Sequence, residues 1–387
     1  MKVYNGIVEL TVGPLAGKVE VEMVKRTATI TFHKAINYGA VLQSYALQQA
    51  ILKLGIENEI INYDCKEINK CYNLIRLDSI KFFIKSIVIL PFFYFKKKNF
   101  EMFIKKYIKM TSNLSNHNLY SRMVNNRYDM FITGSDQVWN YELTGLDKAY
   151  FLDFVENDKK KKCYAASFGI EKIPEFYKDK YRKLLKCFST ILIREKTGAK
   201  IIKELINKDA ITVLDPVFLL NNKEWEAIIE KDKFDNIKNK YILVYMPTPD
   251  MKKFTKILSK KYNLPIYNIT DPMLKINNNF GKIEATLGPS EFVNAIKNAK
   301  FVVTSSFHAT VFSIIFNKEF FININSEGKS RGSRLTDLLC LLEIDDREIA
   351  NYNIDSFKPL NWEKINRKLE IEKQRSIQEL KQMLEAE

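Results

Sequence analysis

Hydrophobic positions fall into short runs and helical repeats that alternate along the chain. Thr27–Phe32 is a brief β-rich run, followed by the polar loop His33–Gly39. Leu42, Ala46, Ala50 and Leu54 then recur every four residues with Leu47 and Ile51 beside them, which predicts a helix ending at Gly55. Glu59–Tyr63 reads as the next strand, so residues 27–63 form a β-α-β unit. The alternation resumes with strands at Tyr128–Thr133, Lys162–Ser167, Thr190–Ile193 and Ile211–Leu214, with a helix near residues 175–187. Asp215-Pro216 marks a turn. Further on, strands are expected at Tyr241–Tyr245, Pro265–Ile269, Phe301–Thr304 and Glu319–Asn323. Helices are expected after Ser290, over Ala309–Phe316 and over Trp362–Leu384.

Strand and helix alternate in both halves, which predicts an α/β protein of two Rossmann-like, doubly wound domains facing a cleft. The expected division is an N-terminal extension at 1–23, domains at 24–220 and 221–350, and a C-terminal helical segment at 351–387. Residues 1–23 read either as a short extra hairpin or as a mis-called start ahead of Met23, and they lack the continuous apolar core of a secretory signal.

Residues 80–109 break the pattern. Phe82–Ile84 and Ile87–Phe95 are strongly apolar, interrupted by Lys85, Ser86 and Pro91. Between Arg76 and Lys109, nine basic residues face two acids, Asp78 and Glu101. Two readings stay open: a buried helical hairpin with solvated lysines, or an interfacial segment on an anionic membrane. The run is too short and too interrupted to span a bilayer.

Composition narrows the classes. The 387 residues carry 61 Lys+Arg against 46 Asp+Glu, a net charge of +15, with a globular 46% hydrophobic content. The lysine excess is either compositional, alongside abundant Asn and Ile, or an attraction to anions. No nucleic-acid-binding motif is present, so nucleic acid is excluded as the expected partner. The five cysteines form no CxxC pair, which points away from a zinc ribbon or redox site and towards a reduced, cytoplasmic protein. No metal site is expected. The chain has no GxGxxG, GxxxxGK[ST] or GxSxG motif.

In doubly wound sheets, ligands gather beyond the carboxyl ends of the strands. Four polar groups fall there: His33–Gly39, Gly134–Asn140, Arg194-Glu195 and Ser305–His308. Only three histidines exist, His33, His117 and His308, and two of them lie in these groups. His308 follows a buried strand at a helix start and can move a proton near neutral pH; the bland alternative is a structural histidine. Arg194 suits a phosphate or carboxylate, or else an internal salt bridge with Glu195 or Asp215. Arg331 and Arg334 could form an anion clamp or a solvated turn. Asp136 is the candidate general base, or a turn cap. Tyr38 and Trp139 offer a sugar-stacking face, or simple packing.

Taken in order, Thr29–His33, Asn37–Gln43, Gly134–Asn140, Tyr164–Gly169, Arg194-Glu195, Asp215-Pro216 and Ser306-Phe307-His308 resemble the polysaccharide pyruvyl transferase family over roughly residues 26–345. The resemblance implies a GT-B-like fold with acceptor and donor sides in the first and second domains. It implies transfer of a pyruvyl group from phosphoenolpyruvate, with no separate cofactor, to a sugar of a surface polysaccharide or its lipid-linked precursor. A cytoplasmic place, peripheral at the inner face of the plasma membrane, follows from such an acceptor. Matched residue by residue, it implies that Arg194 and His308 lie around phosphoenolpyruvate; the chemistry then expects His308 as general acid and Asp136 or His33 as the base for the hydroxyl proton. Donor and acceptor contacts would come from Arg194, Ser305, Ser306, Arg331, Arg334, Asn37, Tyr38, Gly134, Ser135, Gln137 and Trp139. Many members read Arg-Leu-His where this chain reads Ser306-Phe307-His308, so one anion-binding arginine is missing. The competing expectations are a nucleotide-sugar glycosyltransferase-like enzyme and a non-catalytic glycan-binding protein of surface assembly.

Overall fold

The structure is a computed structural model that describes residues 2–4, 7–9, 25–71, 80–112, 114, 116–272, 280–324, 333–344 and 346–386. Strands β1 (Lys2–Tyr4) and β2 (Ile7–Glu9) pair as an antiparallel hairpin; residues 10–24 lie outside the described residues. The first domain is built on β3 (Arg26–Ile30), β4 (Glu57–Ile60), β5 (Met130–Thr133), β6 (Lys161–Ala166), β7 (Thr190–Ile193) and β8 (Ile211–Thr212). These form a six-stranded parallel sheet in the order β4-β3-β5-β6-β7-β8. The second domain carries β9 (Ile242–Tyr245), β10 (Ile266–Ile269), β11 (Lys282–Glu284), β12 (Phe301–Thr304) and β13 (Glu319–Ile322), a parallel sheet in the order β11-β10-β9-β12-β13. Central strands such as Met130–Thr133 and Phe301–Thr304 are buried at every position. Continuous burial of short apolar runs is what a parallel sheet covered on both faces requires.

The longer helices are α1 (Tyr38–Lys53), α2 (Ile80–Tyr107), α3 (Glu175–Lys186), α4 (Lys196–Ile206), α5 (Pro249–Tyr262), α6 (Pro289–Asn298), α7 (Phe307–Ile315), α8 (Ser333–Leu342) and α9 (Trp362–Glu385). Asn37 caps α1, its Oδ1 accepting the Ala40 N–H at 3.2 Å. The four-residue repeat of α1 is buried on almost every face, because this helix lies between the two domains. Its Tyr38, Val41, Leu42 and Tyr45 share one apolar core with Phe292, Val311 and Phe312 of the second domain. The domains are therefore joined by a continuous hydrophobic interface beside the cleft.

Residues 80–107 form one helix rather than a hairpin. Ile89 and Phe93 on one side of Pro91, and Phe100, Phe103 and Ile104 on the other, are all buried. Burial on both sides holds the helix together across the hydrogen bond that proline forfeits. Lys96 is also buried, 3.8 Å from Asp271 and over the Tyr38 ring, so the lysines of this stretch are not all solvated. Helix α9 returns to the first domain: Leu380, Met383 and Leu384 pack with Leu47, Met130 and Leu192, and Ser376 Oγ accepts the Leu214 N–H. Among the described residues, no helix is long and apolar enough to cross a membrane.

Candidate active site

Each sheet reverses its winding direction once, between β3 and β5 in the first domain and between β9 and β12 in the second. Crevices open at such switch points, beyond the strand ends. Here the two crevices meet in one cleft of about 480 Å³. Phe32, Asn37, Asp136 and Gln137 line it from the first domain, and Met246, Ser305, Ser306, Phe307 and His308 from the second. Arg334, in the first turn of α8, lines the same space. Asp136 and Met246 both stand at positive φ, +74° and +55°. Left-handed backbone in non-glycine residues costs about 1–3 kcal/mol and persists where surrounding structure enforces it. At Asp136 the enforcing contact is the Ser167 N–H, which donates to its carbonyl.

Beneath the cleft lies a buried charged cluster. Arg194 Nη1 donates to Asp215 Oδ2 at 2.8 Å; Asp136 Oδ1 lies 3.6 Å from Nη2, and Glu195 Oε2 lies 3.9 Å from Nε. Arg194 Nε and Nη2 are buried without a hydrogen-bond partner, as are Glu195 Oε2 and His308 Nε2. Buried polar atoms left unpaired are costly, and such groups gather where a ligand completes them. His308 Nε2 stands 3.5 Å from Asp215 Oδ2, joining the second domain to the end of β8 in the first. Burial alone would raise the Asp215 pKa, but His308 and Arg194 outweigh it and hold the carboxyl well below the usual range. Burial pushes the Glu195 pKa up, against the pull of Arg194 and Arg334.

Two guanidinium groups share the Phe307 ring, Arg194 at 5.0 Å and Arg334 at 5.9 Å. Burial and the neighbouring Arg194 push the Arg334 pKa down to about 10. Among the described residues, Arg334 has no ion-pair partner within 4.0 Å. Phe307 and Arg334 also line a smaller space of about 70 Å³ that reaches Arg194 and Asp215, so they form its shared wall with the main cleft. Gly39 backs the other side of His308. A Cβ built on Gly39 would stand 2.6 Å from His308 Cε1 and nearer still to Nδ1 and Cγ.

The structure thus brings Asp136, Gln137, Asn37, Ser305, Ser306, His308 and Arg334 to one cleft, with Arg194 directly beneath. Ser305 donates to the Met246 carbonyl, and Ser306 caps α7 by accepting the Ala309 N–H. Other expectations are corrected. His33 is buried away from the cleft, its ring nitrogens engaged with the Thr31 carbonyl and Asn62, and burial lowers its pKa to about 4. Tyr38 offers no sugar-stacking face: it lies stacked on Phe292 at 4.2 Å and donates to the Leu287 carbonyl. Trp139 is fully buried among Phe151, Phe168 and Phe188 and donates to the Tyr150 carbonyl. Gly134 packs against Thr31, and the buried Ser135 donates to Asp215 Oδ2. Both therefore act behind the site. Arg331 lies outside the described residues.

Sequence reasoning did not place Glu195, Phe307 or Gly39 in the candidate site, although all three stand inside the quoted motifs. Asp215 is the turn residue and the acid for Arg194 that its sequence position suggests. It also caps the turn Pro216–Leu219, its Oδ1 accepting the Val217 N–H. Among the described residues, no group of three or more His, Cys, Asp and Glu side chains is arranged to hold a metal ion.

Comparison with known proteins agrees with this architecture. A family model described as polysaccharide pyruvyl transferase matches residues 37–326. No curated protein sequence gives a significant match. The fold is similar to that of a putative UDP-N-acetylglucosamine 2-epimerase from Listeria monocytogenes, at 10% identity, 94% of this chain, 91% of the other and a TM-score of 0.50. MnaA of S. aureus, solved with UDP, gives 14% identity over 77% and 79% of the two chains, with a TM-score of 0.46. The E. coli heptosyltransferase WaaC, solved with ADP, gives 10% identity over 80% and 90%, with a TM-score of 0.39. At these identities the likeness concerns the fold alone, and the fold is a GT-B-like pair of parallel α/β domains.

Proposed function

Because the chain belongs to the polysaccharide pyruvyl transferase family, we propose that it moves the pyruvyl group of phosphoenolpyruvate onto a sugar of a surface polysaccharide or its lipid-linked precursor. The product is a cyclic ketal, and no separate cofactor is needed. The observation that carries this reading is the pair of arginines at the cleft whose hydrogen-bonding capacity the protein does not fill, even though Arg194 is ion-paired with acids. Arg194 retains two unpartnered N–H-bearing nitrogens, and Arg334 has no acid partner within ion-pair distance among the described residues. A small donor bearing both a phosphate and a carboxylate supplies the acceptors these groups lack.

The chemistry divides among few residues. A proton delivered to the methylene carbon of phosphoenolpyruvate leaves oxocarbenium character at the adjacent carbon. One sugar hydroxyl adds there and loses its proton. Phosphate then departs with its bridging oxygen, and a second hydroxyl adds, loses its proton and closes the ketal. In this scheme His308 is the general acid, held between the Gly39 backbone and Asp215. Asp136, fixed by its left-handed backbone at the cleft wall, takes the first hydroxyl proton. Arg194 and Arg334 hold the donor's anionic groups and stabilise departing phosphate. Arg334 stands in for the arginine that the family usually carries where this chain has Ser306. Asn37, Gln137 and Asn140, with Glu142 and Glu171 at the cleft, supply hydrogen-bonding groups for sugar hydroxyls.

The test is incubation with phosphoenolpyruvate and a panel of glycans and lipid-linked saccharides, read by phosphate release and by the mass of the ketal product. The expected result is acceptor-dependent phosphate release that His308→Ala abolishes without unfolding the protein. Turnover of nucleotide sugars instead would favour a glycosyltransferase-like enzyme. Donor binding without turnover on any acceptor would favour a glycan-binding protein.

A further inference from the structure

Helix α2 has two faces of opposite character. Ile89, Phe93, Phe100, Phe103 and Ile104 are buried against the body of the protein. The opposite side leaves Val88, Phe95 and Met102 exposed at 56%, 53% and 52%, with Leu90 at 44% and Tyr94 at 60%. Val88, Phe95 and Met102 are seven residues apart, so they line up along one stripe. This is the densest run of exposed large apolar side chains among the described residues. Lys98 and Lys105 project from the same side, and among the described residues neither has an ion-pair partner within 4.0 Å. By contrast, Lys97 lies 3.7 Å from Glu101, and Lys106 lies 2.6 Å from Glu230.

We propose that this face of α2 is a docking surface for an anionic lipid bilayer, with the helix lying in the plane of the headgroups. Aromatic and aliphatic side chains beside unpaired lysines match the layered polarity of that interface: the apolar stripe enters the acyl boundary and the lysine ends stay with phosphate. Charge selects this occupant over a second copy of the chain. A two-fold contact through the face would bring the Lys98 and Lys105 of both copies towards one another, whereas acidic headgroups neutralise them. The location also serves the proposed reaction, since a lipid-linked acceptor lies in that surface. The inner side of α2 reaches the active-site wall: Phe100 contacts Tyr38 at 5.1 Å, and Tyr38 precedes the Gly39 that backs His308. Docking itself does not depend on the pyruvyl reading, and its assay uses no turnover.

The experiment is co-sedimentation of the full chain with vesicles of equimolar phosphatidylglycerol and phosphatidylcholine, and with phosphatidylcholine alone. Binding is expected to the acidic vesicles at low salt and to weaken at high salt. Lys98→Gln and Lys105→Gln should each weaken it about fivefold, and the pair about 25-fold. Tyr94→Ser with Phe95→Ser should weaken it about tenfold or more with an unchanged unfolding temperature, because these side chains are exposed in the free protein. Absence of binding to acidic vesicles at low salt overturns the proposal. So does a concentration-dependent dimer in solution that Phe95→Ser dissociates, which would assign the face to a second copy.

Discussion

Gly39→Ala separates positioning from stability at the active site. Gly39 lies in the first turn of α1, where alanine is intrinsically favoured over glycine by about 1 kcal/mol. No positive φ is recorded there, so the backbone itself accepts alanine. The obstacle is the His308 ring, already 2.6 Å or less from the new Cβ at three ring atoms. To restore normal contact the imidazole must retreat by about 1.4 Å, or the domains must part slightly; such overpacking costs about 1–3 kcal/mol. Set against the helix gain, net destabilisation is about 0–2 kcal/mol. The catalytic loss is larger, since about 1 Å of misplacement of a reacting group costs on the order of 10²-fold. Turnover, measured by acceptor-dependent phosphate release, should therefore collapse while the unfolding temperature moves by no more than a few degrees. In Gly39→Ala/His308→Ala the clash disappears, so the double variant should be no less active than His308→Ala and more stable than Gly39→Ala. Near-normal turnover in Gly39→Ala, or additive losses in the double variant, would refute the reasoning.

Two further predictions rest on burial. Arg334→Met removes a half-buried cation lying beside Arg194 without an ion-pair partner within 4.0 Å among the described residues. The unfolding temperature should hold or rise, while KM for the proposed donor rises about tenfold or more, the scale of one charge-assisted hydrogen bond; an unchanged KM would remove Arg334 from the donor site. His33 is held neutral by burial, with a pKa lowered from 6.5 to about 4. Below pH 6.5 the unfolded chain therefore binds a proton that the folded one does not, and stability falls as pH drops from 6.5 to 4. The full loss from this group is about 3 kcal/mol. Denaturant unfolding at pH 7 and pH 4 should show that loss, and His33→Asn should reduce it; an equal loss in the variant would assign the acid sensitivity elsewhere.

The strands were legible because parallel sheets bury short apolar runs whole. Thr190–Ile193 and Phe301–Thr304 fall where the pattern places them. Strand-end position also located the cleft, but it could not say which way a side chain turns. His33 and Asp136 both follow central strands, yet the His33 ring folds back on Thr31 while Asp136 faces the cleft. The aromatic residues misled for a related reason. Tyr38 and Trp139 sit in polar motifs, but their large apolar areas are satisfied only in the core, where each also finds a carbonyl for its donor. Contacts between distant segments were the least legible. The approach of Gly39 to His308, and of His308 to Asp215, exists only because the two domains close on α1.

The charge cluster makes one further demand on any anionic donor. Asp136, Glu195 and Asp215 surround Arg194, so this arginine is largely neutralised within the protein before a ligand arrives. A donor carrying both phosphate and carboxylate must then enter beside three acids, and among the described residues Arg334 is the cleft cation without an ion-pair partner within 4.0 Å. Asp215 cannot relieve this, because His308 and Arg194 hold its carboxyl ionised. Glu195 can: burial has already raised its pKa, its Oε2 has no hydrogen-bond partner, and an anion bound on Arg194 would raise the pKa further. Donor binding should therefore draw a proton onto Glu195, and by linkage affinity should increase as pH falls towards the Glu195 pKa. Titration calorimetry in buffers of different ionisation enthalpy reads that proton directly. Uptake should be positive in the parent and lost in Glu195→Gln, which holds the neutral form permanently and should bind the donor at least as tightly at neutral pH. Zero uptake, or weaker binding by Glu195→Gln with its fold intact, would show instead that the glutamate must stay charged to hold Arg194 in place.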